Sequence, residues 1–447
     1  MKSWLVRRFG LDEPGALRRE LAAGGTTYLA MSYIILVNPA VLSIAGMDSG
    51  SVLVATCLSA SFASIWMGLH ANYPIALAPG MGQNFFFALT VCGAVSSGGY
   101  GYSWQQGLAA VVVAGTIFIV MSLFGLRVMV MSWVPHHLRK SLGVGIGLLI
   151  AMVGLRWGGL LVQVPGTYVG LGSLGSTAAM TTILGFVIMG ILTIRGFQTA
   201  IVLGVLASAV FALSIGQIEF TGVIGAPPAI SPTFLQLDLS GLLQQDNLLA
   251  VVFVILFVDL FDTVGTLLGV GERAGLLVDG RLPRGREAFL ADAVGSLGGG
   301  LLGTSTVTSY VESAAGVAAG GRTGLTAITT GALMALSVFI YPLLELVGGA
   351  WEQPDGTLLY PVLAPALILV GVFMLRTIGD VDWSRVEVAV PSFLTIFMMP
   401  LTTSITDGLS FGFIATSLFW LAAGRARELP LGCHLISAAF LLRYLWL

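Results

Sequence analysis

The chain has 447 residues, of which 56% are hydrophobic and only 9% are charged, and its formal net charge at pH 7 is −2. Ordinary soluble domains carry roughly 25% charged residues, so a water-soluble fold cannot bury this much apolar surface. We therefore predict an all-α polytopic membrane protein whose surroundings are a lipid bilayer, with no nucleic-acid partner.

Apolar windows long enough to cross a bilayer recur from Gly24 to the end of the chain. A helix needs about 20 apolar residues to cross a hydrocarbon core of roughly 30 Å, which leaves room for about fourteen spans and for no separate ATP-hydrolysing domain. The predicted spans are residues 24–46, 51–70, 75–93, 107–126, 141–160, 177–194, 197–215, 247–270, 288–303, 305–319, 324–347, 361–378, 386–402 and 405–424.

Basic residues predict the orientation of these spans, because Lys and Arg are retained on the cytoplasmic side of a membrane. With a cytoplasmic N-terminus, even-numbered spans end in cytoplasmic loops, and basic residues follow every such span from the fourth onward. They are Arg127, Arg139, Lys140, Arg195, Arg273, Arg281, Arg284, Arg286, Arg322, Arg376, Arg385, Arg425, Arg427 and Arg443. Only Arg156, near the end of span five, departs from the pattern. The pattern predicts a multi-pass protein of the cell (inner) membrane with both termini cytoplasmic.

Two halves of seven spans would insert in opposite directions, because seven is odd. The predicted segments are a cytoplasmic N-terminal segment (1–23), a first inverted repeat (24–215), an extracytoplasmic connection (216–246), a second inverted repeat (247–424) and a C-terminal interfacial segment (425–447). His434 and Arg443 favour a surface helix over a further span in the last segment, although that segment is apolar.

The third span of each half is interrupted. ANYPIALAPGMGQNFFF (71–87) has prolines and glycines at membrane depth, and GTSTVTSYVESAAG (303–316) opens with β-branched and small residues that favour extended backbone. Unpaired backbone is tolerated in a bilayer only where protein or a cavity covers it, so these short extended segments predict a pocket near the midplane. The alternative is that the prolines and glycines only kink packed helices.

Four acidic residues lie within the predicted spans and away from the ends of those spans. Asp259 and Asp262, in FVDLFDTVGT, share one helical face with Thr266. Glu312 follows the extended part of span ten, and Asp292 lies in span nine. A carboxylate at the bilayer centre costs about 2.5–3.5 kcal/mol, and no Lys or Arg is predicted at the same depth. We predict a functional role for Asp262 and Glu312. For Asp259 and Asp292, a hydrogen bond between packed helices is an equal alternative to a functional role.

The remaining polar residues give no metal or cofactor signal. His70, His136 and His137 lack metal-ligand spacing. The glycines of GSLGGGLLG (295–303) are not followed by GK[ST], so close helix packing explains them better than a phosphate loop does. We expect no metal and no cofactor.

Five segments together resemble the AzgA-like purine permeases of the nucleobase/ascorbate transporter superfamily. They are GMDSGSVLVATCLSA, ANYPIALAPGMGQN, FVDLFDTVGTLLGV, LLGTSTVTSYVESAAGVAAGGRTGLTA and VPSFLTIFMMPLTTSITDG. The resemblance runs from about Gly24 to Arg425 in the expected order.

The resemblance implies a seven-plus-seven inverted-repeat fold in which a core domain moves against a gate domain, often within a homodimer. Spans one to four and eight to eleven would form the core, and the others the gate. It also implies a proton-coupled symporter that carries the purine nucleobases hypoxanthine, adenine and guanine inward.

By motif position, the acids that hydrogen-bond the base in related members fall on Asp262 and Glu312. The short strand of span three would deliver Asn84 and an aromatic residue. The predicted substrate-binding residues are Glu312, Asp262, Asn84, Phe85, Phe86, Thr266 and Thr308, and the predicted proton-coupling residues are Asp262, Glu312, Asp259 and Asp292.

Gln83 and Phe85 depart from the family pattern, which has an apolar and a small residue at these places. This departure affects the predicted size of the pocket, so the sequence does not indicate which purine is preferred. The residues themselves suit a purine, because carboxylates, an amide and aromatic rings complement its N–H donors, ring-nitrogen acceptors and flat face.

Two other functions are weighed against purine transport. An anion carrier of the same fold, for sulfate or bicarbonate, would present helix N-termini without acids, because Asp262 and Glu312 would repel an anion. An intramembrane hydrolase would need facing aspartates, whereas Asp259 and Asp262 lie on one helix and no nucleophile with its base is present. We therefore predict a transporter and not an enzyme.

Overall fold

In a computed structural model, the protein is a bundle of helices with short paired strands. The structure describes residues 6, 8–11, 13–95, 98–164, 169–220, 222–278, 282–353 and 357–446. Within these ranges, 8 helices are long and apolar enough to cross a membrane. The prediction of a polytopic helical membrane protein is confirmed, and the number of fourteen spans stays a prediction. Arg281, which was used to predict orientation, lies outside the described residues.

The first half of the chain contains nine helices within the described residues. They are α1 (Ala16–Met31), α2 (Ile34–Ser43), α3 (Ser49–His70), α4 (Met81–Phe85), α5 (Trp104–Leu123), α6 (Leu126–Ser132), α7 (His136–Trp157), α8 (Thr177–Ile194) and α9 (Ala200–Ser214). A π-helical turn, Phe86–Val91, continues α4. Helices α1 and α2 form one apolar span of 28 residues that a turn at Ser32 and Tyr33 interrupts.

The second half follows a short helix, α10 (Leu239–Leu242), in the connection between the halves. Its helices are α11 (Leu248–Arg273), α12 (Gly285–Leu302), α13 (Ser313–Ala318), α14 (Gly324–Leu336), α15 (Tyr341–Gly348), α16 (Ala364–Met374), α17 (Val386–Thr402), α18 (Ile405–Ala422) and α19 (Leu431–Trp446). Short 3₁₀ turns, Ser337–Ile340, Leu375–Asp380 and Ala426–Glu428, follow α14, α16 and α18.

The strands form three antiparallel pairs within the described residues. They are β1 (Leu77–Pro79) with β4 (Val307–Ser309), β2 (Leu161–Val162) with β3 (Gly170–Leu171), and β5 (Trp351–Glu352) with β6 (Leu358–Leu359). Only the first pair joins the two halves of the chain. The prediction of short extended segments in spans three and ten is therefore confirmed.

Side-chain caps fix where several helices begin. The Asp48 carboxylate accepts a hydrogen bond from the Ser51 N–H at 2.8 Å at the start of α3. Ser103 and Gln106 form a reciprocal capping box at the start of α5. These caps satisfy N–H groups that have no partner in the first helical turn, so α3 and α5 begin at defined residues.

The helices pack into two groups. In the first, α3 packs on α14 and α12, and α12 packs on α5. In the second, α7 packs on α16 and α17, and α17 packs on α18. Close packing within the first group depends on small residues, since a Cβ atom on Gly68 would lie 2.4 Å from the Gly324 carbonyl oxygen. The two groups are the basis for the core and gate domains proposed below.

The C-terminal helix α19 runs back along α18. The Ser417 hydroxyl lies 2.7 Å from that of Ser437, and the Tyr444 hydroxyl donates to the Asp407 carboxylate at 2.7 Å near the first turn of α18. The interfacial position predicted for residues 425–447 stays a prediction. His434 and Arg443, which suggested that position, find partners in the bundle, because His434 contacts Ser417 and Arg443 pairs with Asp407 at 3.4 Å.

Candidate functional site

Strands β1 and β4 pair where the interrupted segments of the two halves meet. Leu77 is opposite Ser309 and Ala78 is opposite Thr308. The Gly80 N–H donates to the Thr306 carbonyl at 3.0 Å, and the Tyr310 N–H donates to the Ala76 carbonyl at 2.9 Å. The backbone groups freed by the two breaks therefore satisfy one another, which explains how extended backbone is tolerated here.

Glu312 and Asp262 form the solvent-accessible part of the site. Glu312 is half-buried immediately before α13, and the Tyr33 hydroxyl donates to its carboxylate at 2.5 Å. Asp262 is exposed on α11 and lies within electrostatic range of Glu312, Tyr33 and Tyr310. Two carboxylates and two tyrosine hydroxyls thus converge where the turn between α1 and α2 faces α11 and α13.

Open space adjoins α11 from Asp262 towards the end of the helix, and this space is called the crevice below. Exposed positions recur there at Gly265, Leu268, Gly269 and Glu272. A Cβ atom built on Gly265 or Gly269 would meet no atom within 4 Å. A carboxylate is disfavoured against lipid, so we assign this exposed face of α11 to a water-accessible path and not to the lipid boundary.

Asp259 and Asp292 lie behind this site and are fully buried. Asp292 pairs with Arg127, whose Nη1 lies 3.4 Å from Oδ2, and Asp292 also accepts from the Thr263 hydroxyl at 2.6 Å. The prediction that no basic residue lies at the depth of the acids is therefore wrong. The short helix α6 folds Arg127 inward, where its guanidinium lies 4.2 Å from the centre of the Phe118 ring.

Asn84, Phe85 and Phe86 are fully buried and do not line the crevice. Asn84 lies on α4, just after strand β1, and its side-chain oxygen accepts a hydrogen bond from the Ser305 hydroxyl. Its amide nitrogen has no partner among the described residues. Phe85 packs towards Trp157 on α7, with the ring centres 6.4 Å apart.

Thr308 and Thr266 are also buried. The Thr308 hydroxyl lies 2.9 Å from that of Thr263, which connects strand β4 to α11. Of the predicted substrate-binding residues, Glu312 and Asp262 are therefore the accessible ones. The others, Asn84, Phe85, Phe86, Thr266 and Thr308, are buried behind them.

Four further polar residues complete this region and were not predicted from the sequence: Tyr33, Gln83, Arg127 and Tyr310. Tyr310 lies two residues before Glu312, and its hydroxyl donates to the Pro79 carbonyl at 2.6 Å. Tyr310 could have been predicted from its position in the segment around Glu312 that carries the family resemblance. Tyr33 gave none, because 279 residues separate it from Glu312.

No group of three or more His, Cys, Asp or Glu side chains among the described residues is arranged to hold a metal ion. The site offers hydrogen-bonding groups. Its carboxylates accept hydrogen bonds, and its hydroxyl and amide groups can both donate and accept them. Groups of this kind are suited to a polar solute.

A family comparison gives the class of protein. Residues 18–411 match the family model Xan_ur_permease, described as a permease family. The chain belongs to this family and is a multi-pass membrane protein.

Particular relatives match over nearly the whole chain. The adenine permease AdeP of Escherichia coli K12 is 39% identical over 445 residues, which are 99% of this chain and 96% of the relative. The guanine/hypoxanthine permease PbuG of Bacillus subtilis 168 is 40% identical over 452 residues, covering 98% of this chain and 99% of the relative.

Solved structures share the fold at low sequence identity. The transmembrane domain of the cyanobacterial bicarbonate transporter BicA has a TM-score of 0.59 at 16% identity and covers 89% of this chain and 97% of that domain. SLC26A9 has a TM-score of 0.64 at 12% identity, covering 94% of this chain and 68% of the other. These likenesses concern the fold alone.

Proposed function

We propose that this protein is a proton-coupled symporter that imports purine nucleobases such as hypoxanthine, adenine and guanine. The observation that carries the proposal is the pair of accessible carboxylates, Glu312 and Asp262, at the end of a crevice. Carboxylates accept hydrogen bonds from the N–H groups of a purine. Relatives named for adenine, guanine and hypoxanthine, about 40% identical over the full length, support this choice.

Glu312 is the principal purine anchor in this proposal and Asp262 the second. Both side chains reach the crevice, whereas Asn84, Phe85, Phe86, Thr266 and Thr308 shape it from behind. Asn84 fixes Ser305 through its side-chain oxygen. The candidates for proton coupling are the acids Asp262, Glu312, Asp259 and Asp292. Among the described residues, the one salt bridge that these acids form is that of Asp292 with Arg127, so the other three carboxyl groups have no salt bridge.

The proposal places the protein in the cell membrane with a cytoplasmic N-terminus and with the first helix group as core and the second as gate. Because α19 runs back along α18, the last residues of α19 lie beside the start of α18. The cytoplasmic position of both termini stays a prediction. A homodimer, as in related transporters, is part of the same proposal. No enzymatic step is proposed.

The rival function is an anion carrier, since BicA shares the fold. The accessible carboxylates argue against it, because they repel an anion in a low-dielectric site. Equilibrium binding of radiolabelled hypoxanthine to the purified protein distinguishes the two. We expect competition by excess unlabelled adenine and guanine and none by bicarbonate or sulfate at equal ionic strength. Competition by the anions alone would contradict the proposal.

A further inference from the structure

One face of α11 changes in character at Asp262. Phenylalanine recurs every four residues before Asp262, and glycine continues the same spacing after it. This stripe consists of Phe253, Phe257, Phe261, Gly265 and Gly269. Residues four apart lie on one face of a helix, so the aromatic half and the glycine half of the stripe face the same way.

The aromatic half of the stripe packs on the second helix group. The ring of Phe257 lies edge-on to that of Phe413 on α18, with the ring centres 5.5 Å apart. Phe253 contacts Phe440 on α19 in the same manner, with the ring centres 5.8 Å apart, and the centres of Phe413 and Phe440 are separated by 6.0 Å. Phe257, Phe413 and Phe440 are buried. These four rings, called the aromatic plug below, close α11 against the second group on one side of Asp262.

A second contact joins α19 to the first half of the chain beside the aromatic plug. The Arg443 guanidinium lies over the Tyr100 ring, 5.4 Å from its centre, and pairs with Asp407 on α18. Tyr100 lies in the loop before α5, and its backbone N–H donates to the Thr90 carbonyl at 2.7 Å, which fixes the loop to the π-helical turn. Arg443 follows Phe440 by three residues, so both side chains leave α19 on the same face. This face of α19 therefore contacts the first half of the chain at two places.

The glycine half of the stripe is open. Gly265 and Gly269 are exposed, and a Cβ atom on either would meet nothing within 4 Å. The face of α11 that the second group covers before Asp262 is therefore uncovered after it. Glycines permit the close approach of another helix, so the second group has room to move onto this half.

We propose that the C-terminal helix α19 closes one end of the transport path, and that the structure is the state in which the crevice end is open. Phe440 and Arg443 hold α19 against α11 and against the loop of Tyr100. Phe413 adds the contact of α18 with α11. Aromatic and cation–π contacts are individually weak, so they can part and form again during a transport cycle.

In this scheme α18 and α19 move as one body. Opening the closed end parts α11 from both helices, while Phe413 and Phe440 stay in contact with each other. The glycine half of α11 then receives the second group, and the crevice shuts. Helix α19 lies beyond residues 18–411, which match the family model. The inference rests on the proposed function, because a transporter has to open its site to each side in turn.

Reversible crosslinking in proteoliposomes tests the closing contact. The native residues Cys57, Cys92 and Cys433 are replaced by serine, and the pair Phe253→Cys/Phe440→Cys is joined by a short bis-methanethiosulfonate reagent, which a reductant removes. We expect the crosslinked protein to bind radiolabelled hypoxanthine through the open crevice with unchanged affinity. It should lose the exchange of internal for external hypoxanthine, because the closed end cannot open, and dithiothreitol should restore this exchange.

The pair Phe413→Cys/Phe440→Cys is the matched control, because both residues lie in the second group and their ring centres are 6.0 Å apart. Its crosslink should leave exchange unchanged. Undiminished exchange by the crosslinked Phe253→Cys/Phe440→Cys protein would overturn the inference. Failure of this pair to crosslink would also overturn it, because the contact between α11 and α19 would then be absent.

Substitution in the glycine half supplies a second test, which applies even if the cysteine variants do not fold. In Gly269→Phe the added ring would occupy the room that the second group has to enter, so we expect hypoxanthine binding to remain and exchange to be lost. Gly190→Phe on α8, where an added Cβ atom also meets nothing within 4 Å, is the control and should exchange as wild type does. Wild-type exchange in Gly269→Phe would overturn the inference while leaving purine transport intact. Absence of hypoxanthine binding and exchange in the wild-type protein would instead contradict the proposed function, and the inference with it.

Discussion

Asp259 and Asp262 lie one helical turn apart on α11, yet their surroundings are opposite. Asp259 is fully buried beside Arg127 and Asp292, whereas Asp262 is exposed to the crevice. The sequence places both on one face with Thr266 but does not say where that face meets solvent. The structure divides the four intramembrane acids into an accessible pair and a buried pair, and this division assigns different roles to them.

Substitutions of the accessible pair, Glu312 and Asp262, can be ranked by their expected effect on purine binding. Glu312→Gln should weaken purine binding by about 1.5–3 kcal/mol, because an amide reproduces only part of the acceptor pattern of a carboxylate. Asp262→Asn should have a similar effect and Asp259→Asn a milder one. Glu312→Asp should also weaken binding, since it withdraws the carboxylate by one methylene. Equilibrium binding of hypoxanthine to each purified variant checks the ranking, and wild-type affinity in Glu312→Gln would remove Glu312 as the anchor.

Substitution of Asn84 tests the role of the buried residues behind the acids. Asn84→Ala leaves the buried Ser305 hydroxyl without its acceptor and should weaken purine binding by about 1–3 kcal/mol. The same binding measurement applies, with size-exclusion chromatography to establish that the variant is folded. Unchanged affinity in a folded variant would place Asn84 outside the site.

Sequence reasoning found the acids because a carboxylate in an apolar window is conspicuous. It missed Arg127, because the apolar window ends near this residue and the basic side chain fits a cytoplasmic loop equally well. The turn that follows α5 and the short helix α6 carry it back to Asp292, 165 residues further along the chain. Pairing over such a distance depends on tertiary packing, which composition and periodicity do not specify.

At the scale of the elements, the helices of the structure follow the apolar windows closely. The window 177–194 coincides with α8, and 386–402 coincides with α17. The ends of some helices differ, as at α7, which begins at His136 after Pro135 and not at the predicted residue 141. The extended segments were predictable from β-branched residues, whereas the pairing of β1 with β4 is a property of the folded chain.

Helix contacts made through glycine give a stability prediction. Gly68→Ala on α3 would place a Cβ atom 2.4 Å from the Gly324 carbonyl oxygen on α14, so we expect destabilisation of about 1–3 kcal/mol. Gly190→Ala on α8 is the matched control, because nothing lies within 4 Å of its added Cβ atom. Removing a helix-interior glycine there should stabilise the protein by about 0.5–1 kcal/mol. Thermal unfolding midpoints in detergent would show the opposite signs, and a similar midpoint for both variants would contradict the close contact.

At the scale of the whole molecule, two helix groups meet at a site formed by the paired interruptions of the two halves. Strand β1 comes from the first half and strand β4 from the second, and their contact holds Glu312 opposite α11. In the proposed function, the two helix groups are the two bodies whose relative movement exposes a central site to either side. The resemblance of the fold to BicA and SLC26A9 shows that the scaffold does not select the solute. In the proposed function, the acids at the site make that selection.

Uptake of radiolabelled hypoxanthine into proteoliposomes tests the central claim most directly. With an inward proton gradient, the account predicts accumulation above the external concentration, recovery of the label as unchanged hypoxanthine, and loss of accumulation when an uncoupler is added. Sodium removal should have no effect. Recovery of a modified product would indicate an enzyme, and uptake that survives the uncoupler but requires sodium would contradict proton coupling.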